Sequence, residues 1–154
     1  MLDAAFLVGA ILAQAAPLTS RVPVFAAPVK ETALPSPAQR ATLRAGVALH
    51  DQRRFDEAVA QFDAVLKENP DIVQALYEGG YSLYEKHDYE RAFDRAVKCT
   101  EYVGPLLAQC YSLIGSILEA SDAATQAIEV YKKGIEFAPS ALLYYNMAGT
   151  YQTR

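Results

Sequence analysis

The sequence is organised by a pair of small residues, a glycine and an alanine twelve positions later, that recurs along the chain. The pairs are Gly46 with Ala58, Gly80 with Ala92 and Gly115 with Ala127, and Gly149 begins a further, shorter copy. Successive glycines are 34, 35 and 34 residues apart. A fixed period of this length predicts a stack of helical hairpins.

The residues around each glycine have the spacing of a helix face. In the first copy, Thr42, Ala45, Gly46 and Leu49 recur at i, i+3, i+4 and i+7. Glycine costs about 1 kcal/mol relative to alanine inside a helix, so its recurrence requires a packing reason. We expect each glycine to let the two helices of a hairpin approach closely near the paired alanine. A larger side chain at either position would overpack that contact.

The repeat resembles the tetratricopeptide repeat family, whose copies combine a small-residue pair, aromatic residues and a closing proline. The residues that carry the resemblance are Ala45-Gly46, Leu49, Ala58, Phe62 and Pro70; Leu76, Gly79-Gly80, Leu83, Ala92, Ala96 and Gly104; and Tyr111, Ile114-Gly115, Leu118, Ala127, Tyr131 and Pro139. The resemblance covers residues 39–154. It implies an all-α, right-handed α-solenoid of three helical hairpins and a truncated fourth, with repeats at about 39–72, 73–107, 108–141 and 142–154.

The first 16 residues have features of a secretory signal peptide. An apolar run from Ala4 to Leu12 precedes Ala13-Gln14-Ala15, a small-residue pattern that signal peptidase cleaves. The run is too short for a membrane span, which needs about 20 apolar residues. Met1-Leu2-Asp3 lacks the usual basic residue, so a plain apolar tail is the alternative. We expect an exported protein, periplasmic or secreted and plausibly bacterial, and otherwise a cytoplasmic one.

Residues 17–38 contain five of the eight prolines, at positions 17, 23, 28, 35 and 37. Proline cannot continue a helix or a strand ladder, so this spacing disfavours regular structure. We therefore predict an extended, disordered linker that holds the repeats away from a membrane or another module.

The two cysteines, Cys99 and Cys110, flank the Gly104-Pro105 turn at almost equal distances. This places them on adjoining arms of neighbouring helices. Two outcomes stay open at this stage: a disulfide in an oxidising compartment, or two small core residues in a reducing one.

Composition and motifs exclude several kinds of function. A net charge of −4 disfavours a nucleic-acid groove, which needs a basic face. No phosphate loop, zinc spacing or catalytic constellation is visible, and His50 and His87 are interpreted as ordinary surface residues. We therefore predict no enzymatic activity, no cofactor and no metal.

The resemblance instead implies a concave groove, lined by the first helix of each repeat, that binds a protein or peptide. The groove positions are Arg40, Leu43, Val47 and His50; Gln74, Tyr77, Tyr81 and Tyr84; Gln109, Ser112, Ser116 and Glu119; and Asn146 and Thr150. Tyr77, Tyr81 and Tyr84 fall at i, i+4 and i+7, so they form one aromatic stripe. The alternative interpretation is that these tyrosines widen the packing face of their helix.

The basic clamp with which some family members hold a chaperone C-terminus has no counterpart here, because Leu43, Val47, Ser112 and Ser116 occupy the matching positions. We therefore predict an interaction scaffold or adaptor for a different partner. Two alternatives stay open: a module of a larger enzyme or envelope machine, or a small-ligand or glycan pocket lined by the same tyrosines. The oligomeric state is also open, since the apolar helix that begins at Leu142 could pair with its twin.

Overall fold

A computed structural model describes residues 17–152, so the predicted signal segment at residues 1–16 lies outside the described residues. The described chain forms eight helices and two short strands. In chain order they are α1 (Leu18–Arg21), β1 (Lys30–Glu31), α2 (Pro37–Asp51), α3 (Phe55–Glu68), α4 (Val73–Glu85), α5 (Tyr89–Cys99), β2 (Tyr102–Val103), α6 (Leu107–Ala120), α7 (Ala124–Phe137) and α8 (Ala141–Gln152).

The helices stack as antiparallel hairpins: α2 with α3, α4 with α5, and α6 with α7, while α8 packs against α7 and α6. The first helices of successive hairpins, α2, α4, α6 and α8, also contact one another. These four helices therefore form the inner, concave layer, and the predicted all-α solenoid is confirmed. The first repeat helix begins at Pro37, where Ser36 and Gln39 form a reciprocal capping box.

The recurring glycines provide space for bulky side chains of the opposing helix. A Cβ at Gly46 would lie 2.8 Å from the ring of Phe62, and one at Gly115 would collide with the ring of Tyr131. Each ring residue follows the paired alanine by one helical turn. The expected close approach is therefore present, but the group that fills it is an aromatic ring rather than the alanine itself.

The second hairpin uses two adjacent glycines in place of one glycine facing an aromatic ring. A Cβ at Gly80 would lie 3.3 Å from Leu113 Cδ2 and 3.4 Å from Arg95 Cβ, and one at Gly79 would collide with the Arg95 guanidinium. Ala96 takes the position that Phe62 and Tyr131 hold in the other hairpins. Arg95, whose side chain is only 14% exposed and pairs with Asp63, fills the space that an aromatic ring would otherwise occupy.

The proline-rich segment does not stand apart from the repeats, and the prediction of a disordered spacer is wrong in this respect. Residues 17–35, here called the strap, lie against the second and third hairpins of the solenoid. Arg21 donates to Asp94 Oδ1 at 2.6 Å, and the Phe25 ring meets Tyr111 edge-on at 5.2 Å. The prolines do keep the strap extended, but its side chains still pack on the helices.

The strap continues to the turns between the repeats. Strand β1 pairs in parallel with β2, and Lys30 forms an ion pair with Glu101. Further along, the Ala33 N–H donates to the Asp71 carbonyl at 2.9 Å, and the Thr32 hydroxyl accepts from the Val73 N–H at 3.3 Å. The Thr32 hydroxyl thus satisfies a donor at the start of α4, where Ile72 provides no side-chain cap.

Cys99 and Cys110 form a disulfide, with their Cα atoms 5.8 Å apart. Of the two alternatives left open by the sequence, the structure contains the bridge. It connects the end of α5 to the first turn of α6 and closes the loop that contains β2. The bridge therefore fixes the segment on which the strap docks.

Candidate functional site

Five aromatic side chains form a continuous row, here called the aromatic row. His50, Tyr77, Tyr81 and Tyr84 lie on helices of the concave layer, and Tyr89 lies at the start of α5. Tyr81 is the centre of the row. Its ring stacks on Tyr77 and on Tyr84, each with a centroid distance of 6.3 Å, and on His50 at 5.0 Å. Tyr84 in turn contacts Tyr89 at 5.8 Å. The i, i+4, i+7 spacing predicted the three tyrosines of α4 to be neighbours, and they are.

The three central tyrosines are half-buried, so packing and recognition both remain compatible with their positions. Each packs against the main hydrophobic core and keeps part of its surface exposed on the inner helix α4. Burial is the main cause that raises the pKa of Tyr77, Tyr81 and Tyr84 above the ordinary phenol value. The hydroxyls therefore stay protonated at neutral pH and can donate hydrogen bonds.

His50 belongs to the site, in agreement with its place among the groove positions, and the interpretation of it as an ordinary surface residue is wrong. Its ring lies between Phe55, at 5.2 Å, and Tyr81, and its Nδ1 is hydrogen-bonded to the Ser82 hydroxyl at 2.8 Å. His50 thereby extends the aromatic row from the second repeat into the first. The sequence signal was its position at the end of the first helix, one repeat before Tyr84.

A second part of the groove lies further along, between α6 and α8. An open cavity of about 720 Å³ is lined there by residues that include Ser116, Glu119, Tyr145 and Asn146. Asn146 donates to the Ser112 hydroxyl at 2.8 Å, and Thr150 donates to Glu119. Five predicted groove positions of the third and fourth repeats are thus brought together: Ser112, Ser116, Glu119, Asn146 and Thr150.

Three other predicted groove positions lie apart from this arrangement. Leu43 is buried in the core of the first hairpin, because that side of α2 packs against Phe62 and its neighbours. Gln74 is exposed and lines a separate cavity of about 170 Å³ between the strap and the β2 loop. Gln109 is half-buried on α6.

Two carboxylates lie beside the centre of the aromatic row. Glu78 and Glu85 precede and follow Tyr81 by three and four residues, so they share its helix face. After burial, Glu85 and Glu78 are the charges that raise the pKa of Tyr81. The sequence analysis did not single out these carboxylates, and their spacing around Tyr81 was the signal that could have found them.

The described part of the chain contains neither a metal site nor a membrane-spanning helix. Within residues 17–152, no three His, Cys, Asp or Glu side chains converge as a metal site. In the same range, no helix combines the length and the apolar character that crossing a membrane requires.

The stacked hairpins and their concave groove define a helical-repeat protein of the solenoid class. The family follows from the sequence comparison. Residues 43–104 and 108–140 each match a tetratricopeptide repeat family, and together they cover more than half of the chain. The chain belongs to the tetratricopeptide repeat family.

Known relatives share the repeats at low identity. Human tetratricopeptide repeat protein 13 is 28% identical over 101 residues, covering 63% of this chain; the chain spans 12% of the length of that relative. The TPR2AB domain of yeast Sti1, solved as a complex with pHSP90, superposes with a TM-score of 0.70 at 18% identity over 75% of this chain and 47% of its own. The Sgt2 TPR domain of Aspergillus fumigatus gives a TM-score of 0.69 at 20% identity over 81% of this chain and 84% of its own.

Proposed function

We propose that this chain is a non-catalytic interaction scaffold that binds a peptide segment of a protein partner in its concave groove, centred on Tyr81. The observation that carries the proposal is the aromatic row, which is continuous across two repeats and whose central rings are only half-buried. Stacked tyrosines offer large apolar faces with polar tips, and they lose little conformational entropy on binding.

Two further features support this function. Proteins of this family are generally scaffolds, and the similar TPR2AB domain of Sti1 was solved as a complex. The groove also combines the aromatic row with hydrogen-bonding groups at Ser116 and Asn146. Such a surface suits a segment that presents both backbone groups and side chains.

The test is a selection of peptides from a random displayed library on immobilised residues 17–154. The enriched peptides are synthesised, and their affinity is measured by fluorescence anisotropy. We expect them to bind the Tyr81→Ala variant at least about tenfold more weakly, because aromatic anchors at an interface commonly contribute roughly 2 kcal/mol or more. A library that yields no binder would contradict the proposal. A parallel glycan array tests the small-ligand alternative.

The matched control is Tyr144→Ala, because Tyr144 is an exposed tyrosine of α8 that lies outside the aromatic row. Circular dichroism and thermal unfolding of both variants separate a binding effect from a folding effect. If Tyr81→Ala only lowers the melting temperature and leaves affinity unchanged, the aromatic row serves packing and not recognition.

We further propose that the protein works in an oxidising compartment outside the cytoplasm. The Cys99–Cys110 disulfide supports this, since such bridges persist mainly in exported proteins. Expression of the whole chain in a Gram-negative host, followed by intact-mass analysis without reduction, tests it. We expect a mature chain that lacks the Ala4–Ala15 segment and has no free thiol; a full-length chain with two free thiols would contradict it.

A further inference from the structure

The concave groove contains carboxylates that no basic side chain of residues 17–152 pairs. Glu78 and Glu85 flank Tyr81, while Glu119 and Asp122 line the cavity between α6 and α8. At the other end, Asp51 lies close enough to Glu78 to raise the pKa of that carboxyl, an effect second only to burial. Acidic groups therefore accompany the aromatic row along its whole length.

The ion-paired cations of the described chain lie elsewhere. The ion pairs between residues 17–152 join side chains of the strap, of the hairpin turns and of the second helices, and none of them involves a groove carboxylate. Arg91 and Arg95, for example, both turn to Asp63 on α3. The ion pairs therefore leave Glu78, Glu85 and Glu119 without a basic partner among the described side chains.

The carboxylates are dispersed and do not converge on one point, which indicates the form of the ligand. Glu78 and Glu85 are seven residues apart on α4, which places them about 10 Å apart along the helix. No metal-like cluster forms among the described side chains. A single small cation would satisfy one carboxylate and leave the others, whereas an extended chain with several positive charges can meet them all.

We propose that the partner segment is a basic peptide, in which arginine or lysine side chains stack on the tyrosines of the aromatic row and pair with Glu78, Glu85 and Glu119. This inference rests on the proposed function and specifies its partner. A guanidinium fits both features of the groove, because it stacks flat on an aromatic face and bonds a carboxylate with its edge. In an extended segment, basic residues three apart would match the spacing of Glu78 and Glu85.

The test uses three fluorescein-labelled peptides that share one sequence of Ala, Ser and Tyr with every third residue varied. The varied residue is arginine, its neutral isostere citrulline, or glutamate. We expect the arginine peptide to bind at least about tenfold more tightly than the citrulline peptide, and the glutamate peptide not to bind. The arginine affinity should fall as salt rises from about 50 to about 200 mM, because part of the attraction is screened.

Isosteric variants locate the effect. Glu85→Gln combined with Glu119→Gln keeps the size and the hydrogen-bonding capacity of both side chains, and it should remove most of the preference for arginine over citrulline. The control is Glu68→Gln, since Glu68 lies on α3, accepts a hydrogen bond from Gln39 and has no groove contact. Glu85→Gln and Glu119→Gln are also measured singly. If Glu68→Gln reduced the preference as much as either of them, the attraction would be one of net charge and the proposal would be overturned.

The outcomes separate this inference from the function on which it rests. Tight binding of the citrulline or glutamate peptide that depends on Tyr81 would overturn the basic partner and preserve the interaction scaffold. Failure of these peptides and of the displayed library alike would overturn both.

Discussion

The Tyr102 hydroxyl donates a hydrogen bond to Asp71 Oδ1 over 2.6 Å. Tyr102 lies in the loop after the second hairpin and Asp71 in the loop before it, so this bond ties two consecutive inter-repeat turns together. The Tyr102 side chain is almost fully buried. It thus forms part of the platform on which the strap docks through β1 and Ala33.

Removal of that hydroxyl should destabilise the fold. We expect Tyr102→Phe to lower the free energy of unfolding by about 1–2 kcal/mol, because a hydrogen bond to a carboxylate is lost from a buried position. Urea unfolding at neutral pH measures the change. Tyr144→Phe, at an exposed position, is the control and should stay within about 0.5 kcal/mol of the wild type.

Alkaline pH should destabilise the protein through its buried tyrosines. Burial raises the pKa of Tyr111 to about 12 and also raises that of Tyr131. A phenol in the unfolded chain has a pKa of about 10, so the folded state holds the proton more tightly. The stabilisation is therefore fully present below pH about 10 and is lost as the pH rises from there. For Tyr111 the free energy of unfolding falls by about 2–3 kcal/mol in total.

The Tyr111→Phe variant isolates this effect. The Tyr111 hydroxyl is buried and makes no hydrogen bond among the described residues, so its removal should change stability little at pH about 8. At pH about 11 the variant should be more stable than the wild type. Urea unfolding curves that shift equally for both proteins between these pH values would contradict the assignment.

Two glycines should respond to alanine in opposite directions. Gly115→Ala places a Cβ against the Tyr131 ring and should cost about 1–3 kcal/mol, since the ring is enclosed in the core. Gly149→Ala meets no atom within 4 Å and should stabilise α8 by up to about 1 kcal/mol through helix propensity. Thermal unfolding of the two variants checks the contrast; equal shifts would mean that Gly115 has no packing role.

Loss of the disulfide should weaken both the junction between the second and third hairpins and the docking of the strap. The bridge spans a sequence separation of 11 residues. A loop of that size corresponds to about 3 kcal/mol in the chain-entropy account. We expect the double variant Cys99→Ala/Cys110→Ala to lose roughly that amount in urea unfolding, and to exchange the amide protons of Val29 and Lys30 faster than the wild type. Unchanged exchange at those two amides would mean that the strap docks independently of the bridge.

The repeats could be predicted from the sequence because their residues act locally. The spacing of Gly46, Gly80 and Gly115 reports helix faces and a constant period, and both depend on neighbours within a few turns. The tyrosines of α4 share one helix, so their alignment followed in the same way. The resemblance placed His50 among the groove positions, but its stacking on Tyr81 was not predicted, and Tyr89 was missed. Both contacts join different helices, and no single segment of the sequence shows how closely two helices approach.

The strap and the disulfide were beyond the same reasoning for a related reason. Proline spacing reports only which backbone hydrogen bonds are prevented, and Phe25 and Arg21 dock through their side chains. For Cys99 and Cys110, turn symmetry placed them near each other, but the 5.8 Å between their Cα atoms depends on how closely α5 and α6 approach.

A stack of repeats in which each hairpin contacts only its neighbours unravels from its ends, one unit at a time. The strap changes this behaviour, because residues that precede the first hairpin attach at Asp94 and Tyr111, in the second and third. Opening of the first hairpin therefore also strains the contacts that the strap makes with the second and third hairpins. We expect the three hairpins to melt as one cooperative unit, and a chain shortened to begin at Ser36 to fray hairpin by hairpin.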